Sequence, residues 1–273
     1  HWCPFRPQCG KIMPDAAALL HGQGCFLDDD MASIFAGLQL MGIEDRIGYA
    51  RVPEDPYKRW PVVFIGDEKA KAPAHRFAHG LGVGDINGDG RNDVMWKGGW
   101  FEQPEDGEKT TEPWTHHATK IVGDNCADMY VVELDGDQRN DVFSTSAHGR
   151  GVYFSKQTGD KAGPTFQTTK LDDRIYETHS LNYIDINRDG KKDLVTGRRF
   201  FAHGFHPSKA GEPSELYWYD VTPKKDAPPE VEAHLIDDQS GVGAQFVTED
   251  INGDSRIDIV ISNRKGVFVF TQE

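Results

Sequence analysis

Asp85-Ile-Asn-Gly-Asp-Gly-Arg-Asn-Asp93 is the stretch whose reading decides the fold. Counted from Asp85, oxygen-bearing side chains stand at the first, third, fifth and ninth places (Asp85, Asn87, Asp89, Asp93), with Gly90 sixth. A hard cation such as Ca²⁺ takes roughly six to eight oxygens at about 2.3–2.6 Å, and a tight loop of alternating acids supplies most of them. Glycine at the sixth place permits the sharp turn, and the backbone carbonyl of Arg91 at the seventh adds an oxygen. A helix-loop-helix calcium site would carry Glu at the twelfth place, where this chain has Trp96. The residues leaving the loop, Val94-Met-Trp-Lys97, form an apolar run of strand character. The stretch predicts a calcium loop at a β-hairpin.

The loop recurs three times. Glu133-Leu-Asp-Gly-Asp-Gln-Arg-Asn-Asp141 is the second copy, Asp185-Ile-Asn-Arg-Asp-Gly-Lys-Lys-Asp193 the third and Asp250-Ile-Asn-Gly-Asp-Ser-Arg-Ile-Asp258 the fourth. Their starts lie 48, 52 and 65 residues apart, a period that belongs to propellers, solenoids and arrays. The candidate ligands are Glu133, Asp135, Asp137 and Asp141 in the second loop and Asp185, Asn187, Asp189 and Asp193 in the third. The fourth offers Asp250, Asn252, Asp254 and Asp258. Arg139, Lys191 and Arg256 offer the seventh-place carbonyl, as Arg91 does. Asp/Asn-rich turns without metal are the alternative, although turn chemistry alone does not require four oxygens at fixed places. Gln138 and Ser255 replace the sixth-place glycine and mark the second and fourth loops as the weaker copies.

Composition agrees with many short strands joined by tight turns: 29 glycines, 15 prolines and 11% aromatics in 273 residues. That length buries a sizeable core, as one large β domain or two smaller ones. The net charge is −14, yet thirteen carboxylates sit in the four loops, so four bound Ca²⁺ would leave about −6. The acidity is mostly a metal-site signature; no nucleic-acid partner is expected, and no apolar run is long enough to span a membrane. Cys3, Cys9, Cys25 and Cys126 form no CxxC pair and indicate neither a zinc ribbon nor a disulfide framework. The chain begins with His and shows no basic-then-apolar leader, so export is inferred from the calcium loops, which suit millimolar extracellular or periplasmic calcium.

Residues 1–45 do not share the repeat and receive no role; they are a degenerate unit or an irregular segment. From 46 to 273 each unit follows one grammar. Trp60-Pro-Val-Val-Phe-Ile65 reads as an outer strand before the first full unit. A first strand enters the loop (Leu81 to Gly84, Met129 to Leu134, Leu181 to Ile184, Phe246 to Glu249) and a second leaves it (Val94 to Lys97, Val142 to Thr145, Leu194 to Thr196, Ile259 to Ser262). A third is aromatic (Gly99 to Glu102, Val152 to Phe154, Leu216 to Tyr219, Val267 to Phe270), and a fourth closes the unit (Trp114 to Ile121, Phe166 to Leu171, Val231 to Ile236). Four antiparallel strands per unit of about 50 residues predict an all-β propeller, with the aromatic strands packing between blades rather than serving as sugar platforms.

The aspartate loops resemble the FG-GAP/VCBS repeats of calcium-binding β-propellers. The phrases His79-Gly-Leu-Gly-Val-Gly-Asp-Ile-Asn-Gly-Asp-Gly90, Gly99-Trp-Phe-Glu-Gln-Pro104, Ser144-Thr-Ser-Ala-His-Gly149 and Asp238-Gln-Ser-Gly-Val-Gly-Ala-Gln-Phe246 resemble a narrower group. Those are exported bacterial propellers, of planctomycete type, related to the propeller part of aldos-2-ulose dehydratase. The resemblance covers about 46–273 and is specific to the repeat, not to an activity, since such propellers include adhesins, lectins, lyases and dehydratases. It implies seven blades, whereas this chain carries about five, so a fragment or an open arc is expected, with 1–45 packed irregularly.

Because the calcium loop joins the first and second strands, the start of one and the end of the other meet at the opposite face. Six residues separate His79 from Asp85 and His179 from Asp185, about 20 Å of extended chain. The same face receives Lys97, His148, Arg198, Arg199, His203, Arg264 and Lys265, and Cys126 and Tyr130 border it. A mouth of His, Arg and Lys suits an anionic or densely hydroxylated ligand, carbohydrate foremost. It also suits proton abstraction followed by β-elimination: His79, His148 or His179 as base or acid, with Arg198, Arg199 and Lys97 stabilising the developing enolate. Strand-end capping is the alternative for each histidine, and for His116, His117 and His234 on outer strands it is preferred. A lyase or dehydratase and a non-catalytic glycan- or protein-binding module are the two function classes. Nothing in the sequence supports a second metal in the mouth.

Overall fold

The computed structural model describes residues 33–34, 47–66, 80–107, 112–123, 126–160, 163–200, 213–243, 245–263 and 265–273. Every named element among them is a strand. The first sheet holds β1 (Ser33–Ile34), β2 (Gly48–Arg51) and β3 (Val62–Phe64). Two four-stranded antiparallel meanders follow. One is β4 (Leu81–Gly84), β5 (Asp93–Trp96), β6 (Gly99–Glu102) and β7 (Thr115–Ala118); the other is β8 (Cys126–Val132), β9 (Asp141–Ser146), β10 (Arg150–Gln157) and β11 (Phe166–Tyr176). A third meander comprises β12 (Leu181–Ile184), β13 (Asp193–Gly197), β14 (Leu216–Lys224) and β15 (Ala227–Asp237), and the last sheet β16 (Phe246–Glu249), β17 (Asp258–Asn263) and β18 (Gly266–Phe270). Each acidic loop lies between the first and second strand of its set, which is the strand order of propeller blades.

Strand alternation decides where the core lies. Val94 packs with Tyr49, Ile65 and Trp114 against the first sheet, while its neighbour Met95 packs with Met129 and Val142 against the next set. Val142 and Phe143 divide in the same way, and so do Leu194 and Val195. β5, β9 and β13 are therefore covered on both faces by flanking sets, which explains their continuous apolar runs, whereas β17 buries Ile259 and Ile261 on one face only. Three of the aromatic strands contribute likewise, with Trp100, Phe101, Phe154 and Tyr219 buried in clusters between sets, but Val267 and Val269 of β18 are exposed, so that strand does not pack between two sets as the sequence suggested.

The first two meanders are joined by a parallel pairing of β4 with β8 (Leu81 with Asp128, Gly82 with Met129, Val83 with Tyr130), a contact the all-antiparallel reading did not contain. A Cβ at Gly82 would stand 2.6 Å from the Met129 carbonyl oxygen, so only glycine lets the two backbones come this close.

Several strands differ in length from the sequence reading. β11 continues to Tyr176 because register shifts on either side of the Val152–Asp172 pair take up the extra residues before Tyr176 and between Lys170 and Asp172. β15 begins at Ala227 although Pro228 and Pro229 follow; it is an edge strand, where a missing N–H is tolerated. In the opposite direction, β7 covers only Thr115–Ala118 of the 114–121 stretch. Within 1–45, read as irregular, Ser33–Ile34 pairs with Arg51 and Ala50 of β2.

The loops are also tied to one another. Gln157, buried at the end of β10, donates its amide to the Ile86 carbonyl of the preceding loop at 2.9 Å and to the Asn140 carbonyl at 3.2 Å. Asn140 in turn donates to the Asp85 carbonyl at 2.6 Å, and Gln272 repeats the latch onto the Ile186 carbonyl at 3.0 Å. Gln157→Ala leaves two carbonyls without their donor and is expected to cost about 1–3 kcal/mol in urea unfolding. A loss under about 0.5 kcal/mol would show that the latch contributes little.

Candidate functional site

The four acidic loops share one backbone form. The fourth and sixth places are left-handed throughout: Gly88, Gly136, Arg188 and Gly253 (φ 73, 79, 64 and 80°), then Gly90, Gln138, Gly190 and Ser255 (φ 86, 62, 87 and 67°). Gln138 and Ser255 thus hold the turn that the sequence reading reserved for glycine, at a modest steric cost. The reason is local hydrogen bonding. The first-place carboxylate gathers the loop's N–H groups: Asp85 accepts from Gly88, Asp89 and Gly90 at 2.6, 3.0 and 2.8 Å, and Asp250 accepts from Gly253, Asp254 and Ser255 at 2.6, 3.1 and 2.8 Å.

The ninth-place acids Asp93, Asp141, Asp193 and Asp258 are fully buried. Asp93 accepts from Ile86 N at 2.9 Å and Gln103 N at 3.0 Å, and Asp258 from Ile251 N and Gln272 N at 3.1 Å, pinning each loop to the end of its third strand. Burial lifts the Asp93 and Asp141 carboxyls from 3.8 to about 7 and that of Asp193 to about 6, against the backbone N–H bonds that favour their charged forms. A divalent cation would reverse this by stabilising the carboxylates.

Loops one, three and four each carry the three carboxylates and one asparagine that such a cation would take. Their third places carry Asn87, Asn187 and Asn252, and the seventh-place cation pairs with the fifth-place acid at the rim, Arg91 also standing 4.0 Å from Glu102. The second loop differs. The ligand atoms of Glu133, Asp135 and Asp137 lie within 4.8 Å of one another, and the Lys156 ammonium reaches in from β10 to contact Asp135 and stand 3.2 Å from Asp137.

The raised carboxyls give a pH prediction for the chelated protein. Their folded values exceed the unfolded 3.8, so between about pH 4 and 7 the fold retains protons that the unfolded chain has released. Stability therefore falls as pH rises through that window, by roughly 1.4 kcal/mol per pKa unit and group, with the full penalty above about pH 7. Asp137, Asp237 and Asp250 lie below the ordinary carboxyl value and titrate beneath the window, whereas His116, which burial pulls below its ordinary 6.5, titrates inside it with the opposite sign and offsets part of the fall. In chelator the urea midpoint should be higher at pH 5.5 than at pH 8, and calcium should narrow the difference; a rising midpoint in chelator contradicts this.

At the other end of the strands, the segments after β9, before β12 and after β13 run together. Thr178 N donates to the Ser146 carbonyl at 3.0 Å, Glu177 N to Gly149 at 2.9 Å and Arg199 N to Glu177 at 3.2 Å, while Arg199 bridges Val242 in parallel. This brings the His148 and His179 rings to 5.2 Å, nearly perpendicular. Arg198, 4% exposed, lays its guanidinium 4.3 Å from the Tyr176 ring centre and donates to the Pro213 carbonyl at 2.9 Å. Arg150 approaches the same ring at 4.7 Å. Arg199 is half-buried; burial pulls its guanidinium below the ordinary value, with Glu177 opposing. Glu177 itself is buried with φ 52°, a conformation a non-glycine residue adopts only when its surroundings impose it.

His79, His203 and Arg264 lie outside the described residues. Lys97 lies at the turn after β5, its carbonyl accepting from Ile121 N at 3.2 Å. Lys265 stands over the Phe200 ring at 4.8 Å. Cys126 packs in the apolar cluster of Met95 and Met129, and the Tyr130 hydroxyl donates to the Leu181 carbonyl at 3.0 Å. The outer-strand histidines are packing residues: His117 stacks on Trp100 and meets Glu102 at 2.7 Å, His234 stacks on Trp218, and His116 leans on Phe101. Tyr176, Glu177 and Arg150 escaped the sequence reading because no spacing marks them. Asp128 organises the floor, accepting from Leu181 N at 3.1 Å and from the Ser180 hydroxyl at 3.4 Å.

The FG-GAP-like repeat family matches residues 133–196, from the start of the second loop to the strand after the third. Comparison with curated proteins gives no match. Among solved structures, a point mutant of the NanB sialidase of Streptococcus pneumoniae is similar at 13% identity and a TM-score of 0.49, over 83% of this chain and 34% of that one. NanB in complex with 2-[(3-chlorobenzyl)ammonio]ethanesulfonate gives 12% and 0.47 over the same shares. RAG in complex with one melted and one unmelted RSS gives 11% and 0.31, over 71% of this chain and 82% of that one. The chain thus spans about a third of the sialidase's length, and likenesses this distant carry no argument about activity.

Proposed function

We propose that the chain is an exported, calcium-stabilised β-propeller domain whose mouth binds an acidic carbohydrate. The observation that carries this reading is the convergence of His148, His179, Arg198 and Arg199 from three separate segments onto one end of the strands. Guanidinium groups such as the buried Arg198 and the half-buried Arg199 form strong, charge-assisted hydrogen bonds to a carboxylate, and the neighbouring imidazoles bond hydroxyls or exchange protons near neutrality. Calcium serves the scaffold: the loops stand at the opposite end of the first and second strands from this cluster, and their oxygens are taken up within the hairpin tips.

The same cluster supports a catalytic reading, β-elimination on a uronate. One histidine would remove the proton next to the carboxylate while an arginine stabilises the enolate, and departure of the β-oxygen would leave a conjugated double bond. A dehydratase of the aldos-2-ulose type is the narrower form of that chemistry. The non-catalytic module is the second reading, favoured by how fully Arg198 is engaged by Tyr176 and Pro213.

Binding to paired acidic and neutral oligosaccharides tests the proposal. Affinity is expected for the acidic members only, falling as salt rises. Equal binding of both classes would overturn it. Ultraviolet absorbance of the unsaturated product then separates lyase from binding module.

A further inference from the structure

We infer that the second loop supplies its own cation: the Lys156 ammonium takes the place that calcium holds in the other three loops, so the chain binds three Ca²⁺ and not four. The inference rests on the calcium reading of loops one, three and four.

Geometry is the first support. Lys156 contacts the Asp135 carboxylate and stands 3.2 Å from that of Asp137, with side-chain exposures of 16, 0 and 7% for Lys156, Asp135 and Asp137. A calcium ion needs those same oxygens at about 2.3–2.6 Å, and two cations cannot share them. Expelling the ammonium would break a largely buried ion pair, which is costly when one partner is left behind.

Strand register supplies the second. The β9–β10 ladder pairs Phe143 with Phe154 and Val142 with Ser155, so the next step sets Lys156 opposite ninth-place Asp141. The same step from Val94–Phe101, Leu194–Tyr219 and Ile259–Phe270 reaches Glu102, Asp220 and Thr271. Those three side chains carry oxygen; only the second set carries an ammonium.

The loop's own composition is the third. Asp135 stands where the other loops have asparagine, giving this loop four carboxylates against three. The surplus negative charge is matched by the one lysine that enters.

Equilibrium dialysis of the full chain against CaCl₂, with protein-bound metal counted, tests this. The wild type should saturate at three Ca²⁺ and Lys156→Met at four. Four in the wild type overturns the inference and leaves the calcium reading standing. Three in both proteins also overturns it, because Lys156 would then not be what excludes the ion. No bound calcium in either protein overturns the calcium reading and the inference with it. Should Lys156→Met fail to fold, reductive methylation of the wild type read by mass spectrometry replaces it. Lys156 should stay protected with and without CaCl₂, and reactivity that appears on adding CaCl₂ means that the ion has displaced it.

Discussion

Removing calcium should lower the melting temperature by about 10–20 °C, and restoring calcium should return it. A ligand held at about a hundred times its dissociation constant stabilises the fold by roughly 2.7 kcal/mol per site, so three sites supply about 8 kcal/mol. In a domain of this size each kcal/mol is worth about 2 °C or slightly more. The structure gives the penalty a location. Asp93, Asp193 and Asp258 are fully buried at the ninth places, and burial lifts the carboxyls of Asp93 and Asp193 to about 7 and about 6. At neutral pH without a cation Asp93 and Asp193 are ionised at a cost or hold protons, and neighbouring acids such as Asp89 and Asp85 repel Asp93 further. Calorimetry in excess chelator, with elemental analysis confirming that metal is gone, makes the measurement. A melting curve unchanged under those conditions would remove calcium from the scaffold.

His179→Ala and Arg199→Ala should each weaken binding of an acidic oligosaccharide by about 10–100-fold while the melting temperature stays within a few degrees. A charged hydrogen bond in a partly dry site contributes roughly 1.5–3 kcal/mol, which is that range of affinity. Asp189→Ala should behave in the opposite way, losing stability with the mouth intact, because Asp189 lies on the exposed third loop and accepts the Lys191 N–H at 2.8 Å within it. If Asp189→Ala abolishes binding at full stability while His179→Ala unfolds the protein, the roles of the two ends are reversed. If His148→Ala and His179→Ala keep affinity but lose formation of the unsaturated product, the histidine pair acts in proton transfer.

Sequence alone determined what is local. The nine-residue loops, the strands that enter and leave them and the aromatic third strands were all legible, because each depends on spacing within about a dozen residues. Even there the sixth-place glycine was overread: Gln138 and Ser255 take the same left-handed turn. What joins distant segments was decided by the tertiary structure. The sequence placed His148, His179, Arg198 and Arg199 at one face, but their arrangement around Tyr176 and Glu177 depends on how three loop segments bond to one another. Gln157 reaches the Ile86 carbonyl 71 residues away. Lys156 reads as a solvated strand residue until hairpin register sets it opposite Asp141 and among the acids of the second loop. The physical reason is common to these cases: short-range patterns set backbone form, whereas charge compensation depends on which strands lie side by side, and only the folded sheet brings Lys156 to Asp135 and Asp137.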